Sequence, residues 1–407
     1  MSVNYQSLPF NEGIKFFRQK INLPTQSWTD IWEGMHARAF TIAGATKQDL
    51  LKDFRESIDK AISEGTTLED FRNDFDGIVK KHGWPYKGGR GWRTRVIYDT
   101  NIRQAYNAGR EKQMKDPKLR KFRPYGIYKH GDSAVPRPEH LANNNVVLPL
   151  DDPWWDTWTP SNGWGCQCKK FMASDRDVKR MGLKVSKQAP PIEYEEKTVG
   201  KRGPNPRTVK VPKGIDPGFA YNPGNAAWGK QLSDDAMSSW RAQGRDAWEP
   251  LTQGSPETYN RPGRIPLDKP KNKLGPKLKD QAAVTKALQK LLGAEEKVIQ
   301  SKKQNVLVNA EALAKHVDVK RSQYLPLLQE TLEDPFEVWM TFEKHKGTGK
   351  VVLRSRYMKR VKLDDKDRGT LVVANVAKGM LAAWTFIPVR QTGYLEKQRR
   401  GFLLWGR

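Results

Sequence analysis

The stretch from His130 to Cys168 reads HGDSAVPRPEHLANNNVVLPLDDPWWDTWTPSNGWGCQC. It contains both cysteines of the chain, two of its six histidines and four of its tryptophans. Proline, glycine and asparagine interrupt it repeatedly, and such turn formers prevent a long helix. Its aromatic content is too high for a disordered linker. We therefore expect a compact, irregular module that is held together by something other than a large core.

The cysteines and histidines of this module allow two interpretations. Cys166 and Cys168, with His140 and a fourth ligand from His130 or Asp132, have the chemistry of a tetrahedral Zn²⁺ site. Alternatively, the cysteines are buried thiols and His140 is a hydrogen-bonded core residue. Zinc sites usually separate paired cysteines by two to four residues, so the single intervening residue is a weak signal. A disulfide between such close neighbours would be strained. One structural zinc ion is the prediction, and the buried thiols are the alternative.

Ordered motifs run through this module and beyond it: His130-x-Asp132, Arg137-Pro138-x-His140, Asp151-Asp152-Pro153-x-Trp155-Asp156, Pro160 and Gly163-Trp164-Gly165-Cys166-x-Cys168. Upstream lie Arg93, Ile97-Tyr98-x-Thr100-Asn101 and Ala105-x-x-x-Gly109-Arg110, and downstream Gly214-Ile215-Asp216-Pro217-Gly218-Phe219-x-Tyr221-Asn222-Pro223-Gly224. This order resembles the phage Mu F-like minor head (head morphogenesis) family, except that Gln167 stands where that family more often has arginine. The resemblance implies a minor capsid protein that acts near the portal, in head assembly or in DNA packaging and delivery. Portal and capsid proteins are then its partners.

The composition favours a polyanionic partner. The chain of 407 residues has 72 Lys and Arg against 46 Asp and Glu, which gives a net charge of +26. Phage DNA is the default candidate, and solubility alone does not need such an excess. We find no run of about 18 apolar residues, so no membrane span is expected, and the first residues lack a signal-peptide pattern. The expected location is the virion, in the head interior or near the portal, and the host cytoplasm during assembly.

Apolar spacing and capping signals predict an α+β multidomain protein. Residues 1–260 form a head-morphogenesis domain with an N-terminal helical region and the Cys/His module. In that region one helix ends at Gly65, the next begins at Thr67, and a third spans about Trp92 to Met114. Residues 261–302 form a basic linker and a helix, and their Pro- and Lys-rich part is expected to be extended and mobile. Residues 303–407, from Lys303, form the last domain.

The last domain reads as two short helices followed by an antiparallel sheet. The helices are expected at Ala310–Lys315 and Arg321–Leu332. Residues with high β-propensity follow in five runs: Phe336–Phe342, Val351–Val361, Leu371–Val376, Leu381–Val389 and Phe402–Trp405. The Lys346-Gly347-Thr348-Gly349 turn joins the first two runs as a hairpin.

This domain carries scattered motifs: His316, Arg321-x-x-Tyr324, Leu332-x-Asp334-Pro335-x-x-Val338-Trp339, Trp384-Thr385-x-x-Pro388 and Arg400-Gly401-x-Leu403-Leu404. They resemble the phage-associated branch of the barnase/EndoU/colicin/RelE-like nuclease superfamily. The resemblance implies a ribonuclease-like effector domain that cleaves an RNA substrate without metal. The alternative is a DNA-binding virion protein whose C-terminal domain is catalytically inactive.

Metal-free RNA cleavage needs an acid, a base and cations for the phosphorane. The candidate catalytic residues are His316, Arg321, Tyr324, Arg356, Tyr357 and Thr385. His316 has a suitable unperturbed pKa, although a histidine near a helix C-terminus also has a purely structural explanation. Arg321 and Arg356, together with Arg354, have the geometry to clamp a phosphate. The tyrosines are expected to position the sugar or donate a proton, and Thr385 to hydrogen-bond a phosphate oxygen.

Overall fold

The computed structural model describes residues 10–131, 133, 135–201, 206–229, 247–302, 304–363, 366–377, 380–390 and 392–407. Asp132, a predicted metal ligand, and Lys303, the predicted start of the last domain, lie outside these residues. The chain divides into unit 1, residues 1–247 with 345–351, and unit 2, residues 248–344 with 352–407. The division falls at 247/248, whereas the sequence analysis placed a boundary at 260/261. Within the described ranges, every helix is too short or too polar to cross a membrane.

Unit 1 combines helices with three small sheets. Its helices are α1 (Asn11–Arg18), α2 (Gln48–Glu64), α3 (Leu68–His82), α4 (Arg90–Met114), α5 (Pro117–Phe122), α6 (Pro138–Ala142), α7 (Trp155–Trp158), α8 (Asp175–Arg180) and α9 (Pro223–Trp228), with a 3₁₀ helix at Glu33–Ala37. Its strands are β1 (Ile21–Asn22), β2 (Ala39–Phe40), β3 (Tyr125–Lys129), β4 (Val147–Pro149), β5 (Lys169–Ala173), β6 (Tyr194–Val199) and β7 (Arg207–Pro212). Strands β1 and β2 pair in parallel, β3 lies between β4 and β5, and β6 pairs with β7.

The capping signals of the N-terminal helices are confirmed. α2 ends at Gly65, which adopts a φ of 77° that is strained for residues with a Cβ. α3 begins after Thr67, whose hydroxyl accepts a hydrogen bond from the Asp70 amide while the Asp70 carboxylate accepts one from the Thr67 amide. Phe54 and Phe75 face each other across α2 and α3, with ring centroids 5.5 Å apart. These contacts form the helical core of unit 1.

The Cys/His module is more regular than the sequence suggested. α6, β4 and α7 lie within it, and β4 joins β3 and β5 in one antiparallel sheet. Against this sheet, the rings of Trp154 and Trp158 stack with centroids 5.6 Å apart. Tyr128 packs edge-on against both indoles. The tryptophans that the sequence placed in a loop therefore build a local aromatic core, because short elements bring them onto one side of β3.

Unit 2 is built on one large sheet. Its helices are α10 (Gln281–Leu292), α11 (Ala310–Ala314), α12 (Leu327–Glu333) and α13 (Thr392–Glu396), with 3₁₀ helices at Glu257–Tyr259 and Val319–Tyr324. Its strands are β8 (Trp248–Pro250), β9 (Glu296–Gln300), β10 (Asn305–Asn309), β11 (Glu337–His345), β12 (Val351–Leu363), β13 (Lys366–Ala377), β14 (Met380–Val389) and β15 (Phe402–Gly406). The strand order is β15-β11-β12-β13-β14-β10-β9, and β8 pairs with β11 at the side.

The predicted α+β class and all five predicted β-runs are confirmed in unit 2. The predicted antiparallel sheet is confirmed for the pairs β11–β15, β12–β13 and β13–β14, and the unpredicted strand β10 adds one parallel pair with β14. Sequence reasoning missed β9 and β10. β9 reads EKVIQ and is mostly exposed, so it lacks the apolar run that marks a buried strand.

The Pro- and Lys-rich segment at 261–279 is extended, as predicted, but it is anchored to unit 2. Ile265 is fully buried in the same core cluster as Trp339. Further along, the backbone amides of Lys271 and Asn272 donate hydrogen bonds to the Glu330 carboxylate. The interpretation of this segment as a mobile linker is therefore wrong. Proline prevents regular structure here, but side-chain acceptors replace the missing backbone partners.

A buried carboxylate connects strand β11 to the end of unit 2. Glu337 accepts hydrogen bonds from the Arg399 guanidinium at 2.6 and 2.7 Å and from the Trp339 indole at 2.7 Å. Arg261 adds a third charged contact at 3.0 Å. The side chains of Glu337 and Arg399 are both fully buried. Loss of the Glu337 charge would leave the buried Arg399 guanidinium without this counterion, which lowers the free energy of unfolding.

We expect Glu337→Gln to lower the free energy of unfolding by about 3 kcal/mol or more, the usual cost of breaking a buried ion pair on one side. Urea unfolding of the full chain, followed by tryptophan fluorescence, measures this. The matched control is Glu333→Gln on the exposed end of α12, for which we expect a change within about 0.5 kcal/mol. Equal stabilities of the two variants would contradict this account.

Candidate functional site

The structure brings three of the predicted metal ligands together. α6 carries His140, and the loop between α7 and β5 carries Cys166 and Cys168. The His140 Nδ1 atom lies 3.4 Å from the Cys168 Sγ and 3.8 Å from the Cys166 Sγ. All three ligand atoms lie within 4.8 Å of one another, and all three residues are buried. Two sulfurs and one imidazole nitrogen can hold a Zn²⁺ ion.

The imidazole of His140 is oriented from its far side. Its Nε2 lies 2.9 Å from the carbonyl oxygen of Gly214, and since a carbonyl only accepts, Nε2 carries a proton. Nδ1, which faces the sulfurs, is then the nitrogen with a free lone pair in the neutral ring. A carbonyl behind a metal-binding histidine is a common arrangement, because it fixes the tautomer and the ring. The geometry therefore suits a ligand as well as a hydrogen-bonded core histidine.

The two thiols have very different proton affinities. A hydrogen bond from the Cys166 thiol lowers the pKa of Cys168 despite its burial. The hydrogen bond to Cys168 and burial raise the pKa of Cys166. One thiolate is therefore stabilised without a metal. A second would need a cation nearby, which a bound Zn²⁺ supplies.

His130, one of the two predicted fourth ligands, is not part of this group. The backbone amide of His130 donates a hydrogen bond to Asn144 at 3.0 Å, and the imidazole of His130 is absent from the cluster of ligand atoms. Asp132 lies outside the described residues. Among the described residues the cluster therefore has three ligands.

In unit 2, the predicted catalytic residue Thr385 lies in strand β14, and two others, His316 and Arg321, contact this strand. The exposed His316 follows α11, and its ring centroid lies 4.7 Å from that of Trp384. The Thr385 hydroxyl donates a hydrogen bond to the His316 carbonyl at 2.8 Å. Arg321 donates one to the Pro388 carbonyl at 3.3 Å. Three residues of a strand span about 10 Å, so these groups share one region of the sheet.

Tyr324 lies in a cationic environment that the sequence did not reveal. Burial alone would raise its pKa, but hydrogen bonds from Gln323 and Arg368 and the charges of Arg368 and Arg390 lower the pKa below its usual value. Gly369 pairs with Val389 across β13 and β14. Arg368 and Arg390 therefore sit at neighbouring positions on the two strands. The register of β13 and β14 brings these two arginines together. Their role near Tyr324 could therefore be identified only from that register.

Arg356 and Tyr357 are buried away from an open site. Arg356 is 3% exposed and binds the Glu343 carboxylate at 2.6 Å. The same carboxylate pairs with Arg354 at 2.5 Å. The Tyr357 hydroxyl donates a hydrogen bond to Gln304 at 3.3 Å, and burial raises its pKa. Alternation along β12 was expected to present the arginines to phosphate; the neighbouring strand β11 instead supplies them with a carboxylate.

Two known protein families match separate parts of the chain. Residues 52–171 match the family described as Phage Mu protein F like protein. Residues 283–406 match the family described as phage-Barnase-EndoU-ColicinE5/D-RelE like nuclease2. Both resemblances read from the sequence are thereby confirmed. The first match includes the His140 cluster, and the second includes every predicted catalytic residue.

Curated relatives support the first match. The chain is 34% identical to the putative capsid assembly protein F of Escherichia phage Mu over 264 residues, which are 59% of this chain and 59% of that protein. It is 33% identical to the Mu-like prophage FluMu F protein of Haemophilus influenzae over 229 residues, 51% of this chain and 55% of that protein. The chain thus spans between half and three fifths of the length of these relatives. No solved structure matches it significantly.

Proposed function

We propose that the protein is a minor head protein of a tailed phage that acts near the portal, in head assembly or in DNA packaging and delivery. The observation that carries this proposal is the similarity to a protein named as a putative capsid assembly protein, over 59% of the chain. Portal and capsid proteins are the proposed partners. The net charge of +26 supports phage DNA as a further partner. The proposed location is the virion, with assembly in the host cytoplasm.

A head protein should be incorporated into particles at a fixed ratio. We expect the protein to co-purify with portal and capsid proteins through a density gradient, and its ratio to the portal protein to stay constant across the particle peak. Quantitative mass spectrometry of the fractions measures that ratio. If the protein is abundant in the lysate but absent from assembled heads, head assembly is excluded as its function.

We further propose that His140, Cys166 and Cys168 hold one structural Zn²⁺, with a fourth ligand from His130, Asp132 or solvent. The buried cluster and the Gly214 carbonyl behind His140 support this proposal. When bound, the ion would supply positive charge that stabilises two thiolates. It would also close the loop between α6 and β5, as structural zinc does in small domains without a large core.

Full-length protein purified without chelator is expected to contain about one zinc ion per chain by elemental analysis. Cys168→Ser should lose the metal and melt at a lower temperature, since the site loses a thiolate ligand. His130→Ala is the matched comparison: zinc retained in this variant removes His130 as the fourth ligand. Metal well below one equivalent, with melting unchanged by EDTA, would instead establish the buried-thiol alternative.

We propose that unit 2 cleaves RNA without a divalent metal. A base removes the proton of the 2′-hydroxyl, the 2′-oxygen bonds to phosphorus, the bond to the 5′-oxygen breaks, and an acid protonates that oxygen. His316 and the Tyr324 phenol are the proposed proton-transfer groups. Arg321, Arg368 and Arg390 are the proposed cations that stabilise the phosphorane. The products are a 2′,3′-cyclic phosphate and a free 5′-hydroxyl.

The lowered pKa of Tyr324 supports this assignment, because arginines that lower a phenol pKa also attract a phosphate. Thr385 is proposed to position His316, since its hydroxyl donates a hydrogen bond to the His316 carbonyl and so fixes the backbone that carries the imidazole. Arg356 and Tyr357 are left out of the proton transfer because they are buried with partners of their own.

Full-length protein should cleave mixed RNA in EDTA, and His316→Ala should slow cleavage by about 10²- to 10⁴-fold, the usual contribution of one proton-transfer group. Lys315→Ala, at the adjacent exposed position, is the matched control and should cleave normally. Gel analysis with end-group mapping identifies the cyclic phosphate. Normal cleavage by the His316 variant would remove His316 from the site. Intact RNA with well-folded protein would favour the alternative, a DNA-binding virion protein with an inactive C-terminal domain.

A further inference from the structure

Unit 1 contains a cavity of about 410 Å³ that neither the zinc cluster nor the nuclease-like unit uses. Its walls come from β2, α4, the 3₁₀ helix at Glu33–Ala37 and the loop around Gly218. Aromatic side chains contribute much of the lining: Trp28, Trp92, Trp164, Phe219 and Tyr221. Among the described residues that line it there is no Asp or Glu. The volume lies in the usual range of ligand sites, on the order of 300–1,000 Å³.

Two cations line this cavity although both are buried. Lys20 is 4% exposed, and its ammonium lies 4.5 Å from the centre of the Phe16 ring. Within the described part of the chain this ammonium has no hydrogen bond and no ion pair. Arg93 is 8% exposed, donates a hydrogen bond to the Ala43 carbonyl and lies over the Trp84 ring. A buried ammonium without a counterion is unfavourable. An anion that enters the cavity would relieve this cost.

The aromatic residues and the cations occupy different depths. Trp92 is 59% exposed and Trp164 is 39% exposed, so these indoles lie at the mouth. Trp164 also contacts Phe219 edge-on, with centroids 4.9 Å apart. Lys20 and Arg93 lie inside. A suitable ligand therefore has an anionic end that enters first and an apolar part that follows.

We propose that this cavity binds the C-terminal end of a partner polypeptide, with the terminal carboxylate at Lys20 and Arg93 and the last apolar side chains against Trp28, Trp92 and Trp164. A chain end enters with its carboxylate first and its apolar side chains behind it, which matches the buried cations inside and the exposed indoles at the mouth. Capture of a terminal carboxylate is a recurring mode of peptide recognition. The inference is independent of head assembly and of RNA cleavage.

The protonation of Lys20 gives this binding a characteristic pH dependence. Burial and the charge of Arg55 lower the pKa of Lys20 to about 7. Other groups near it hold their charge state from pH 6 to 9: Arg55 and Arg93 stay cationic, His36 stays neutral because burial lowers its pKa to about 3, and Tyr221 stays neutral because burial raises its pKa. A bound carboxylate favours the ammonium, so binding takes up a proton above pH 7. Affinity should therefore fall as the pH rises from 7 to 9.

The test uses full-length protein and an array of short peptides that end in each pair of apolar residues, each made with a free terminal carboxylate and with a terminal amide. The best free-acid peptide, labelled with a fluorophore at its N-terminus, is then titrated by fluorescence anisotropy. We expect the free acid to bind at least tenfold more tightly than its amide. Lys20→Met should reduce that difference, leaving the part due to Arg93, and should remove the pH dependence, because it keeps the apolar stem and deletes the titrating charge.

Two further variants separate the parts of the site. Trp92→Ala should weaken the acid and the amide by the same factor, since it removes an apolar contact only. Lys15→Met, at an exposed position of α1, should leave both unchanged. Protection of Lys20 from reductive methylation by the bound free acid, read by mass spectrometry, tests the contact in the unaltered chain. If no free-acid peptide binds better than its amide, or if a short thymidine oligonucleotide binds in the peptide's place, the inference is overturned.

Discussion

The hydrogen bond between His140 and the carbonyl of Gly214 connects two parts of the chain that are 74 positions apart. The loop around Cys166 has little regular structure of its own, so its position depends on contacts of this kind. Asp216 supplies the next one, because its carboxylate accepts hydrogen bonds from the Arg137 guanidinium at 2.7 Å and from the Trp164 amide at 2.8 Å. The downstream motif at 214–224 therefore acts as a set of acceptors for the cysteine module. Since a module without a large core is stabilised mainly by such specific contacts, the geometry of the three ligands depends on them.

Local signals in the sequence predicted local structure well. Gly65 and Thr67 marked the junction of α2 and α3 because a left-handed cap and a capping box are decided by neighbouring residues. Five strands of unit 2, β11 to β15, were equally visible as apolar runs. Pairing partners were not visible in this way. The parallel contact of β10 with β14 and the anchoring of Ile265 depend on residues far away in the chain, and a single sequence does not encode those distances in a readable pattern.

The candidate sites were predictable where the residue types alone indicate a chemical role. His140, Cys166 and Cys168 were identified by residue type alone, and the structure places them together. The arginines of β12 were also the right type for phosphate binding. Their environment decided otherwise, because Glu343 on the neighbouring strand lies on the same face and neutralises them. Strand order, which the sequence left open, thus determines whether an arginine is structural or available.

The same distinction applies to other cations of the described residues, whether buried or exposed. A guanidinium paired with a buried carboxylate, such as Arg399 with Glu337, has its charge balanced within the fold. Arg368 and Arg390 differ, because they adjoin each other at a tyrosine, and like charges at opposed strand positions repel. Lys20 differs in a second way, because burial leaves it with an aromatic ring and without a carboxylate in the described residues. Cations of this kind raise the free energy of the ligand-free protein. Binding of an anion then lowers that free energy. The net charge of +26 therefore matters less for recognition than the few positions where the fold leaves positive charge uncompensated.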